Sequence, residues 1–107
     1  MPTVTPATIL FEPATGATTS SAFNVYSGNT GVRLYGAAAV IAGAETVKVQ
    51  YQDAGGNWID LVDAIVGACT IAAGETSVTI AQRGQFRVVK SATAALVGVE
   101  IIDNNPS

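Results

Sequence analysis

The sequence has no histidine, one cysteine and few charges: five Lys and Arg against eight Asp and Glu, 12% of 107 residues. Without an imidazole the chain lacks the commonest general base, the commonest zinc ligand and every Ser/His or Cys/His nucleophile pair. A single cysteine, Cys69, excludes an intramolecular disulfide. Small secreted domains usually lean on such bridges, so the chain reads as made in a reducing cytosol. Cys69 sits in Ala68-Cys69-Thr70-Ile71, a strand-like apolar setting that suits a small buried hydrophobe better than a reactive thiol. The basic residues Arg33, Lys48, Arg83, Arg87 and Lys90 are dispersed, and net charge is −3. Gripping a phosphate backbone takes several cations on one face, so no nucleic-acid partner is expected. The same shortage argues against an anionic membrane surface. The longest near-continuous apolar run, Gly36 to Ala44, is less than half of what a bilayer span needs. Met1-Pro2 opens a Thr/Pro/Ala stretch with no basic region ahead of an apolar core, so no signal peptide is expected either.

What is present is apolar but small. Hydrophobic residues make up 49% of the chain, and 18 of them are alanines, which bury little area each. Area scaling gives a folded monomer of this mass about 5,500 Å² of surface, or about one charge per 400 Å². The exterior must therefore be Thr, Ser, Asn, Gln, Ala and backbone. Such a skin solubilises weakly and suits a protein packed against neighbours.

Residues 1–21 differ from the rest. Pro2, Pro6 and Pro13 among many Thr and Ala favour extended chain and forbid a helix. Within this stretch Val4, Ile9, Leu10 and Phe11 are the side chains able to engage a partner. One reading is an arm that adds a strand to a neighbour's sheet edge. The other is an ordinary first strand of this domain, or a loose terminus. Burying Ile9, Leu10 and Phe11 gives about 5–9 kcal/mol, whereas ordering about ten residues costs about 10–20 kcal/mol of backbone entropy. Backbone pairing must help in either case.

From residue 22 to 107 the pattern is period-two alternation broken by Gly, Asn and Asp, the signature of short antiparallel strands. In Thr46-Val47-Lys48-Val49-Gln50-Tyr51-Gln52 the residues Val47, Val49 and Tyr51 point one way and the polar residues the other. Ala54-Gly55-Gly56-Asn57 then turns the chain into Trp58-Ile59-Asp60-Leu61. Similar alternation marks Phe23/Val25, Val32/Leu34, Ser77 to Ile80, Phe86/Val88 and Val97/Val99/Ile101. Asp63 to Ala68 is the one place for a short helical turn. Turns every 10–15 residues predict seven or eight strands in an antiparallel β-sandwich, immunoglobulin-like or jelly-roll-like, with Trp58 as a core anchor.

The search for chemistry is mostly negative. Asp53, Asp60 and Asp63 lack the regular spacing of a calcium loop, and Asp53 before Ala-Gly-Gly-Asn is what a turn requires. Gly55-Gly56 lies between two strands, which excludes a phosphate-cradling loop. No catalytic, cofactor-binding or metal-binding residue is expected, and the chain is not expected to be an enzyme.

Two segments carry a resemblance: Glu45 to Asp53 followed by Gly55-Gly56-Asn57-Trp58-Ile59-Asp60-Leu61, and Gly84 to Ser91. In their style the chain resembles small β-sandwich virion proteins of tailed bacteriophages, most of all head decoration or capsid cement proteins. The resemblance implies a structural viral protein made in the host cytoplasm and placed on the capsid surface. It also implies a homotrimer clamping the major capsid protein against internal DNA pressure, sometimes through a terminal arm. Tail, neck and fibre proteins share the style, and the alternative it leaves is a tail, neck or fibre module that binds a host-surface glycan or another virion protein.

Overall fold

Alternation along the sequence becomes a two-layer antiparallel sandwich in the computed structural model, which describes residues 7–26, 29–64 and 67–103. The strands are β1 (Thr8–Ala14), β2 (Thr18–Thr19), β3 (Phe23–Val25), β4 (Thr30–Tyr35), β5 (Val47–Gln52), β6 (Trp58–Asp60), β7 (Val62–Asp63), β8 (Gly67–Ala68), β9 (Thr70–Ile71), β10 (Ser77–Ile80), β11 (Gly84–Lys90) and β12 (Val97–Asp103). One sheet has the order β1-β12-β4-β10. The other is built on β11 and β5, with β2 and β3 along the free side of β11 and β6 and β9 along the free side of β5. Counted by position the layers hold eight strands, in line with the seven or eight predicted. The core is drawn from both layers: Val32, Ile80, Val97 and Val99 from one, Val25, Val47, Val49, Ile71, Phe86 and Val88 from the other.

The hairpin between β5 and β6 follows from its turn residues. The Asp53 carboxylate accepts the backbone N–H groups of Gly55 and Asn57 at 2.9 and 2.8 Å, and Gly56 supplies the positive φ of 85°. These contacts hold the Asp53 carboxyl below its ordinary range, chiefly through the Asn57 N–H.

A second hairpin interrupts the same edge. β6 pairs with β5 as far as Gln50↔Asp60, and β9 resumes the pairing at Lys48↔Thr70. Val49 bridges the gap: its carbonyl accepts the Leu61 N–H at 2.9 Å, and its N–H donates to the Cys69 carbonyl at 3.0 Å. The Cys69 N–H donates to the Leu61 carbonyl at 2.9 Å and closes the neck. Residues 58–61 and 69–71 are thus one edge line from which β7 and β8 are ejected as a paired excursion, Val62↔Ala68 and Asp63↔Gly67. At Asp63, Gly67 and Ala68 this replaces the helical turn predicted for Asp63 to Ala68, of which residues 65 and 66 lie outside the described residues. Gly67, at φ 86°, favours a reversal over a helix here.

Two turns with the same pattern of hydrogen bonds lie side by side. In Ile41-Ala42-Gly43-Ala44-Glu45-Thr46 and in Ile71-Ala72-Ala73-Gly74-Glu75-Thr76 the glutamate N–H donates to the alanine carbonyl. Its carboxylate accepts the same alanine's N–H, at 3.0 Å for Glu45 and 2.8 Å for Glu75. The Gly74 N–H donates to the Ile41 carbonyl at 3.1 Å, locking one turn to the other, and both isoleucines are buried. The other Glu45 oxygen accepts the Ala94 N–H at 2.9 Å. The two backbone donors, Ala94 first, lower its pKa.

The expected arm is extended, but from Thr8 onward it is built into the sandwich. β1 pairs with β12, from Thr8↔Ile101 to Ala14↔Val97. The chain then crosses at Gly16 to the other layer, where Thr18 and Thr19 pair with Lys90 and Val89. The reading as a first strand therefore holds for residues 8–19, and the boundary at residue 21 separates no independent segment there. Gly98 permits the close approach of β1: a Cβ on it would lie 2.8 Å from the Phe11 carbonyl oxygen and the Pro13 nitrogen.

Lys90 pins the crossing. It continues the inward face of Phe86 and Val88 and is fully buried. Its ammonium donates to the carbonyls of Gly16 and Ser91 at 2.6 and 3.1 Å and to Thr93 Oγ1 at 3.2 Å. Burial pushes its pKa down, with the Glu45 charge pulling the other way.

Candidate functional site

Among the described residues no three His, Cys, Asp or Glu side chains come together in a way that could hold a metal ion. Nor, among the described residues, is any helix long and apolar enough to cross a membrane. The three aspartates weighed as a calcium set go to three places. Asp53 caps a turn, Asp60 lies on an outer sheet face, and Asp63 lines a groove. Three surfaces remain from which function can be built.

The first is the edge strand β1. A register shift between Ile9↔Glu100 and Phe11↔Val99 marks a bulge, which lets the consecutive residues Leu10 and Phe11 both pack on the core. Both are half-buried, so they contribute less than full burial would, about 3–6 kcal/mol, and pairing with β12 supplies the backbone bonds that side chains alone lack. Ile9 stays 44% exposed on the outer face, beside the Arg33–Glu100 ion pair. So of the predicted partner-binding residues, Leu10 and Phe11 serve this domain's own core and Ile9 faces outward. Val4 lies outside the described residues. The far side of β1 has no described strand beside it.

The second surface is the outer face of the β5/β11 layer, and it corrects the reading of Trp58. In the register Gln52↔Trp58 and Gln50↔Asp60 the tryptophan shares the polar face of β5, away from the core. There the Arg87 guanidinium stacks over its ring, 4.6 Å from the centroid. Arg87 Nε donates to Gln50 Oε1 at 2.8 Å, and Gln50 Nε2 donates to Asp60 Oδ1 at 2.9 Å. Asp60 also meets Lys48 at 3.5 Å. The Gln50 bond is the first cause of the lowered Asp60 pKa. The result is a fixed ladder of Trp, Arg, Gln and Asp across three strands. The layer's core anchor is instead Phe86, with Phe23 against it at a centroid distance of 6.4 Å. Sequence held a signal for this: Asp60 and Trp58 are two apart in one strand and must share a face.

The third surface is a groove of about 350 Å³ between the ejected hairpin and β10. Leu61, Ala68 and Cys69 form one wall, Val78 and Ala81 the other, with Asp63 and Glu75 among the lining residues. Cys69 Sγ lies 3.7 Å from the Thr79 carbonyl oxygen, and burial pushes its thiol up to about 11. The thiol is therefore protonated and poorly nucleophilic at neutral pH, as its strand setting predicts. The sequence singled out Cys69 and Asp63 but not the groove, because the neck that joins them becomes visible only once β6 and β9 share one partner.

No family model, no curated protein and no solved structure matches this chain.

Proposed function

We propose that the chain is a non-enzymatic structural subunit of a phage particle, a head decoration or cement protein bound to the outer capsid surface. The observation that carries this reading is the β1 edge. It is a sheet-edge strand with no described strand on its far side and an outward isoleucine, on a sandwich poor in charge. A free edge offers a row of backbone donors and acceptors to a neighbour, and such an edge is normally covered, charged or used. The low-charge skin supports lasting contact with other subunits, and the resemblance of Glu45 to Asp53, Gly55 to Leu61 and Gly84 to Ser91 to phage virion proteins supports the capsid address. In this reading the partner is the major capsid protein, a homotrimer multiplies weak contacts by avidity, and neither a cofactor nor nucleic acid takes part. Purified chain mixed with expanded capsid shells should bind at a fixed copy number per capsomer and raise the shells' melting temperature. Failure of both overturns the proposal.

A second reading has its own observation. The Trp58–Arg87–Gln50–Asp60 ladder is a pre-organised mixture of ring, planar donors and carboxylate, the chemistry that orients sugar hydroxyls. A fibre or neck module would use it to bind a host-surface glycan. Binding on a glycan array that Trp58→Ala abolishes without unfolding the protein would favour this over the capsid reading.

A further inference from the structure

We propose that the groove between the ejected hairpin and β10 binds an extended apolar segment of a partner protein that carries a lysine or arginine. The proposal does not rest on the capsid reading, because it concerns the opposite edge of the sheet from β1.

Three observations lead to it. First, β10 is the other edge of its sheet, and its register shows which backbone groups face outward. The Leu34 N–H donates to the Thr76 carbonyl at 2.9 Å, so residues 76, 78 and 80 bond to β4 while 77 and 79 turn away. The Thr79 carbonyl accordingly points at Cys69 Sγ, at 3.7 Å. That carbonyl is taken by the thiol, so an incoming strand meets the outward backbone of Ser77 and the Thr79 N–H as well as side chains. Second, the pocket beside that edge is apolar and of side-chain size. About 350 Å³ lined by Leu61, Cys69, Val78 and Ala81 holds one or two aliphatic side chains. The Cys69 thiol belongs to this floor as a neutral hydrophobe. Third, the lining charge has one sign. Besides the thiol, the ionisable side chains of the lining are Asp63 and Glu75, and no Lys or Arg lines the groove. Glu75 is held in place: its Oε1 accepts the Ala72 N–H at 2.8 Å, which fixes the carboxylate before any partner arrives. An apolar slot that carries the fixed Glu75 carboxylate, beside a strand with no described strand on its outer side, favours an apolar segment with a cation next to it, and repels an acidic one.

The test uses the full chain, isotope-labelled for amide spectra, and two blocked pentapeptides, Ala-Val-Lys-Val-Ala and Ala-Val-Glu-Val-Ala. The lysine peptide should shift the Leu61, Cys69, Val78, Thr79 and Ala81 resonances. It should bind about three- to tenfold more tightly than the glutamate peptide at low salt, the range expected when exposed pairs are changed from attraction to repulsion. Glu75→Gln keeps the acceptor for Ala72 and removes the charge, and should narrow that preference about two- to fivefold. Ala81→Trp, at an exposed position, fills the groove and should abolish the shifts while the rest of the spectrum stays folded. Equal binding of the two peptides, shifts centred on β1 or on Trp58, or no shift at millimolar peptide each overturn the proposal.

Discussion

Replacing Lys90 with methionine keeps the length of the buried side chain and deletes its charge, so it sets two large opposing effects against each other. The ammonium is fully buried and makes three hydrogen bonds. Bonds to a charged group net about 1.5–3 kcal/mol each, about 5–9 kcal/mol for three. Taking an ammonium out of water costs several kcal/mol. The two nearly cancel, and methionine abolishes both. What decides the outcome is what the variant leaves behind: at the crossing between the layers the Ser91 carbonyl loses its donor, while the Gly16 carbonyl keeps the Thr18 hydroxyl at 3.1 Å. Thr93 Oγ1 fares better because it still donates to the Ala95 carbonyl at 2.8 Å. One stranded carbonyl gives a net loss of about 1–3 kcal/mol. For a domain of this size that lowers Tm by about 4–13 °C. Urea unfolding, followed by circular dichroism and by Trp58 fluorescence, should show a lower midpoint at unchanged slope. A Lys90→Met protein as stable as the parent would refute the reasoning, since it would mean the desolvation cost outweighs every bond the ammonium makes.

Gly98→Ala places a methyl group 2.8 Å from two backbone atoms of β1, which cannot yield as a side chain can. We expect a loss of about 1–3 kcal/mol and faster amide exchange in Leu10 and Phe11, with β5 and β11 still protected; unchanged exchange in β1 would contradict the packing described. Stability should also depend on pH at both ends of the scale. Glu45, Asp53 and Asp60 have lowered pKa values, so their contribution is complete above the ordinary carboxylate range and is lost as pH falls through the depressed values. Lys90 is likewise lowered, so between its folded value and about 10.4 the unfolded chain binds more protons and stability rises with pH. Urea midpoints at pH 3, 7 and 10 for parent and Lys90→Met check this, the alkaline rise being expected in the parent alone.

The layers were legible wherever polar and apolar residues alternate without interruption. Val47 to Gln52, Phe86 with Val88, and Val97 with Val99 fall on the faces predicted, and Asp53 with its glycines closes the hairpin as turn chemistry demands. Strict alternation also held two facts that general expectation obscured. Lys90 continues the inward series of Phe86 and Val88, although lysines are rarely buried. Trp58 stands on the polar side with Asp60, although a lone tryptophan invites a place in the core. Other features depend on contacts that no local pattern encodes. Leu10 and Phe11 share a side only because β1 bulges against β12, and the neck at Leu61 and Cys69 exists only because both residues find Val49. The paired Ile-Ala-x-x-Glu-Thr turns left a trace in the sequence as a short repeat, but their mutual contact is a tertiary fact.

The ejected hairpin has a consequence for how such a molecule diversifies. Because the chain departs from its edge strand and rejoins it across a single residue of β5, the span between Leu61 and Cys69 is uncoupled from strand register. Lengthening that span adds only a slowly growing closure entropy, about 0.6 kcal/mol per doubling, and displaces none of the valines between the layers. Yet the same span carries Asp63 and Ala68, part of the groove's wall. The scaffold can therefore stay constant while this one stretch is rewritten, so that a new binding preference arises without a new fold.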